Sequence, residues 1–118
     1  MPFKTRYFFL VSMDVDPAKE ALFNEVYDVE HVPALLAVPG VMSVTRARGR
    51  TTEFVVGGEA VVAGRGEPGY VAIYEIESPD VLSSEAWAAA GERGRWATEV
   101  RPFTRNRHHA VYEVLGDG

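Results

Sequence analysis

The chain has 118 residues, 47% of them hydrophobic and 25% charged, with a formal net charge of −5. That is enough for one domain with a real core and too little for two, and the acidic balance argues against a nucleic-acid partner. The absence of cysteine excludes disulfides, thiolate chemistry and Cys-held metals.

No apolar run approaches the length of a membrane span, and the start does not read as a signal peptide. The expectation is a cytoplasmic protein with no membrane partner.

Arg6 to Val15 predicts the first strand. Tyr7, Phe9, Val11 and Met13 fall on one face; Phe8, Leu10 and Ser12 fall on the other. Both faces are largely apolar, so both need cover. Asp16-Pro17 then starts a helix, because Asp is a good N-cap and Pro suits the first helical position. The regular helix should run to about His31, with a kink near Pro33 and a break at Pro39-Gly40. At 100° per residue, Ala18, Leu22, Val26, Val29 and Pro33 form an apolar stripe predicted to pack on the sheet. Asn24, Tyr27, Asp28 and His31 lie roughly opposite.

Val41 to Arg48 predicts the second strand, with Met42, Val44, Arg46 and Arg48 on one face. Thr52–Val56 and Glu59–Ala63 flank Gly57-Gly58, which reads as a hairpin: a surface elaboration, a lid or a dimer arm. Tyr70 to Ile76 is the third strand. Ser78-Pro79-Asp80 caps a second helix running to about Ala90, and Arg95 to Val100 is a short segment ahead of Pro102. Trp87 and Trp96 read as core or interface anchors. Thr104 to Leu115 is the last strand.

The order is strand, helix, strand, hairpin, strand, helix, strand. It predicts one α+β domain over residues 1–118, a ferredoxin-like βαββαβ fold with a hairpin insertion at about 51–66. Both helices then cover one sheet face. The other face is too apolar to be solvated, so a second copy should cover it, giving a homodimer.

Asn24 to Pro33, with its Tyr-Asp-x-x-His-x-Pro run, followed by Pro39-Gly40-Val41 and the Arg-bearing strand, resembles the dimeric α+β barrel superfamily near the EthD-like proteins. Arg95-Trp96, Pro102-Phe103 and Tyr112-Glu113 also look like this group. The likeness spans most of the chain outside Thr51 to Gly66. It implies the barrel dimer and is weak for activity, since the superfamily includes monooxygenases, lactone isomerases, polyketide-type cyclases and haem enzymes.

His31 is the first candidate for chemistry, because an imidazole can take or give a proton near neutral pH. Asp28 could orient its ring and Tyr27 could donate to a substrate oxygen. The competing reading makes His31 a cap on the helix C-terminus. Arg46 could hold a carboxylate or enolate oxygen, or simply form a salt bridge. Tyr74 and Tyr112 lie on strands and either line a ligand space or pack. His108 and His109 are adjacent and must face opposite ways, so one of them should look inward; His108 is carried as the ligand-binding candidate, and which of the two faces the cavity stays open. No two of the three histidines have helical ligand spacing, so no metal is expected. No cofactor is called for either. The functional expectation is a small-molecule-binding protein. It would be a cofactor-independent isomerase, cyclase or oxygenase on an aromatic or lactone-like substrate, with His31 as acid/base, or else a non-catalytic binding dimer.

Overall fold

The computed structural model describes residues 3–64, 66 and 68–116. Strand β1 (Tyr7–Val15) leads into a 3-10 turn (Pro17–Lys19), helix α1 (Glu20–Val26), a π-helical turn (Tyr27–His31) and helix α2 (Val32–Leu36). Then come β2 (Val41–Arg48), β3 (Thr52–Val56), β4 (Glu59–Ala63) and β5 (Tyr70–Ile76). A 3-10 turn (Pro79–Ser83), helix α3 (Glu85–Gly91), a second π turn (Trp96–Val100), a 3-10 turn (Arg101–Phe103) and β6 (Thr104–Glu113) close the chain.

The main sheet has four antiparallel strands in the order β2-β5-β1-β6, which is the ferredoxin-like arrangement. Its helix-side face carries Val11, Met13, Ala72, Tyr74 and Ile76, which form the core with Phe23, Val26 and Leu35 from the first helical segment. Its other face carries Phe8, Leu10 and Ile73, half-buried, and Tyr112, exposed and stacked on Phe8 at 5.3 Å. No helix is long and apolar enough to cross a membrane among the described residues.

The start signal at Asp16 works as read: its Oδ1 accepts from Ala18 N–H at 3.0 Å. The second helix departs from expectation. Ser84 takes an extended conformation, ends the 3-10 turn and caps α3 by accepting from Trp87 N–H at 3.1 Å. Strand β2 is bulged between Val41 and Ser43, so Val41 joins the core face and Met42 is exposed. The expected pairing of Met42 with Val44 on one face is therefore corrected.

Gly40 sits at φ +93°, where a Cβ would lie 2.5 Å from Val81 Cγ2. Its carbonyl accepts from Glu77 N–H at 2.8 Å, tying the turn into β2 against the exit of β5.

The β3–β4 hairpin forms its own two-stranded sheet, with Phe54, Val55, Val56, Val61 and Val62 exposed. Positions 65 and 67 of the Gly-rich stretch lie outside the described residues.

Candidate functional site

The apolar stripe predicted for the first helical segment packs only in part: Val26 is buried and Leu22 packs against the core. Ala18, Val29 and Pro33 are exposed, while Phe23, Tyr27, His31 and Leu35 are buried. The π turn sets this face. Val32 N–H reaches back five residues to the Tyr27 carbonyl, widening the helix where Tyr27 and His31 sit. Both side chains therefore point at the sheet rather than at solvent.

They border a cavity of about 180 Å³ between the helices and the sheet. It does not lie on the open sheet face, where an inter-sheet site would be. Phe9, Met13 and Tyr74 form its sheet wall, Trp87 and Trp96 its helix wall, and Arg101, Arg107 and His109 its polar margin. The aromatic packing is dense. His31 stacks on Trp96 with centroids 4.2 Å apart and a 17° interplanar angle, and meets Tyr27 edge-on at 5.0 Å. Trp87 meets Tyr74 edge-on at 5.5 Å, and His109 stacks on Phe9 at 5.9 Å.

His31 is 7% exposed, and its Nδ1 has no hydrogen-bond partner among the described residues. Burial first, and the Arg101 guanidinium second, push its pKa down to about 4, against an opposing pull from Glu92. The ring is therefore neutral at pH 7. Tyr27 and Tyr74 share a buried hydroxyl–hydroxyl hydrogen bond of 2.8 Å. Burial raises both phenol pKa values, so each stays protonated and able to donate.

The residues singled out from the sequence divide among three places. His31, Tyr27 and Tyr74 meet at the cavity. Asp28 does not orient His31; its Oδ1 accepts from Arg46 at 2.6 Å and its side chain is largely exposed. Arg46 also donates to Asn24 Oδ1 at 2.8 Å and lies 4.4 Å over the Tyr27 ring, behind the cavity wall. It lines a separate open groove of about 420 Å³ with Asn24, Asp28, Arg48 and Tyr70.

Tyr112 and His108 are on the open sheet face, opposite Phe8 and Ser12. His109, opposite Val11, is the histidine that reaches the cavity, so the choice of His108 is corrected. Sequence reasoning also passed over Trp87, Trp96, Arg101 and Arg107 as site residues. Strand parity carried a signal for Arg107 alone among these, since it shares with His109 a face that excludes Tyr112.

No family model matches the chain, and no curated protein matches it. Solved structures do. The haem-degrading protein MhuD of Mycobacterium tuberculosis, with two haems in its active site, superposes with a TM-score of 0.61 at 17% identity, covering 95% of this chain and 98% of that one. An EthD family protein from Bacillus halodurans gives a TM-score of 0.59 at 15% identity, covering 92% and 99%. A dimeric ferredoxin-like protein of unknown function from Jannaschia gives 0.61 at 12% identity, covering 92% and 98%. The fold is thus the ferredoxin-like α+β fold that these structures share.

Proposed function

We propose that the chain binds a single-ring organic molecule in the cavity between helices and sheet, and that His31 exchanges a proton with it. The observation that carries this is the unpartnered, buried Nδ1 of His31 beside a cavity walled by both tryptophans of the chain. An unpaired buried polar atom costs ~1–3 kcal/mol, which a bound hydroxyl or water would relieve.

Size narrows the ligand. An apolar cavity of ~150 Å³ holds benzene, and drug-sized ligands need ~300 Å³ or more. About 180 Å³ takes one ring with a small substituent. Haem, which MhuD holds, is a macrocycle built of four rings and does not fit here.

In the proposed reaction His31 removes a proton from an acidic C–H or O–H of the ring substrate. The imidazolium so formed faces the substrate anion, while a Tyr27 or Tyr74 hydroxyl donates to the developing oxyanion. The reaction would be an isomerisation or cyclisation in which His31 returns the proton to another atom of the substrate, or an oxygenation with dioxygen as co-substrate, and it would use no cofactor. One observation favours a non-catalytic binding role instead: a histidine pKa of about 4 lies well below the value suited to a base at neutral pH. We further infer that two copies pair through the open sheet face, as the apolar Phe8, Leu10 and Ile73 call for cover and dimeric proteins share this fold.

Because both tryptophans line the cavity, intrinsic fluorescence reads it directly. Phenol should quench wild type saturably, and His31→Phe should lose that response while remaining folded. Unsaturable, identical quenching of both proteins would refute the binding site.

A further inference from the structure

We propose that the ring this cavity accepts carries one negative charge, a carboxylate of the benzoate type, held at the mouth by Arg107 with Arg101 behind it. The inference rests on the binding reading above and specifies its substrate class.

Charge around the cavity runs against the charge of the chain. The protein as a whole carries −5, yet among the described residues no Asp or Glu lines this cavity, while two arginines do. The two are not equivalent. Arg101 is already engaged: its guanidinium donates to the Gly91 carbonyl at 3.0 Å and to both carboxylate oxygens of Glu92. That pair fixes the guanidinium at the end of α3 and cancels most of its charge. Arg107 has no carboxylate partner among the described residues. It stands on β6 two residues before His109, on the helix-side face, at an exposed position.

Two guanidiniums less the Glu92 carboxylate leave one positive charge at the mouth, which matches a monoanion. The remaining walls are aromatic and aliphatic and suit an uncharged ring. A carboxylate on that ring would meet the fork of Arg107, whose planar donors match its two oxygens. The His109 ring, held by stacking on Phe9, lies beside them and can donate from its N–H. A ligand so placed has its ring against Trp87 and Trp96 and its charge toward solvent. It therefore loses little hydration while it gains an ion pair.

Three probes of one ring size separate the alternatives: benzoate, benzyl alcohol and benzylamine, each titrated by tryptophan fluorescence at pH 7 and low salt. The expected order is benzoate tightest, about tenfold or more ahead of benzyl alcohol, with benzylamine weakest. Raising the salt should weaken benzoate and hardly touch benzyl alcohol. Arg107→Gln should reduce benzoate affinity about tenfold, and Arg107→Lys should fall between Gln and wild type, because it keeps the charge and loses the planar fork. The position is exposed on a strand, so both variants should melt near wild type. Benzyl alcohol or benzylamine binding as well as benzoate would overturn the anion assignment and leave the binding site standing. Failure of all three to bind would remove the site itself, and this inference with it.

Discussion

His31→Phe tests the central residue through stability alone, with no ligand needed. An unfolded histidine takes up its proton near pH 6.5, whereas His31 in the folded chain does so only near 4. Between those values the unfolded chain holds more protons, so acidification favours unfolding. The penalty is absent above about pH 7 and complete below about pH 4. At 1.36 kcal/mol per unit the full effect is on the order of 3 kcal/mol, and about 2 kcal/mol appears between pH 7 and pH 5. Phenylalanine cannot titrate, keeps a ring over Trp96 and carries no orphaned nitrogen. The pH 7 to pH 5 loss of unfolding free energy should therefore be about 2 kcal/mol smaller in the variant, by urea denaturation at fixed protein concentration. Depressed carboxylates such as Asp14 and Glu75 contribute equally to both proteins and cancel in the comparison. Parallel pH profiles for the two proteins would refute the buried, neutral His31.

Gly40→Val should destabilise by about 2–4 kcal/mol in chemical denaturation, since it adds left-handed backbone strain to an overlap with Val81. Tyr27→Phe and Tyr74→Phe should each cost ~1–3 kcal/mol by stranding the other hydroxyl, and the double variant should cost less than their sum in a double-mutant cycle. Sedimentation at micromolar concentration should give twice 13.0 kDa, and a monomer would remove the proposed pairing through the open sheet face.

The strands were legible because alternation is a local signal. β2, β3, β4 and β5 begin and end where the residue pattern places them, and the two faces of β1 sort as read. Two details lay beyond that signal. The bulge beside Met42 is a mismatch between two strands, and one strand alone does not encode it. The choice between His108 and His109 needed the register of β6 against β1, which places His109 opposite Val11 on the covered face. The charged margin of the cavity was missed for a related reason. Arg101 and Arg107 come from separate elements, and only the closed fold brings them to one opening.

The helix face was read only in part, at Leu22 and Val26, because a regular period was imposed on a segment that lacks one. Phe23, Tyr27, His31 and Leu35 recur every four residues, and all four are buried. In an unbroken α-helix of 3.6 residues per turn, each step of four overshoots by about 40°, so the last would lie about 120° from the first. No single face could then bury the set. One wide turn takes up the excess, and the Val32-to-Tyr27 bond supplies it midway through the series. The other half of the fold does likewise: Arg101 N–H reaches back to the Trp96 carbonyl across the second π turn. In each case a proline follows two residues after the turn, at Pro33 and Pro102, and its missing N–H cannot re-form the regular ladder there. One wide turn presents Tyr27 and His31 to the cavity and the other presents Trp96, so the stacked His31–Trp96 pair joins the two irregularities. A fourfold spacing of large side chains ahead of a proline is thus the readable trace of this site. It points to the residues that the 100° stripe turned away from the core.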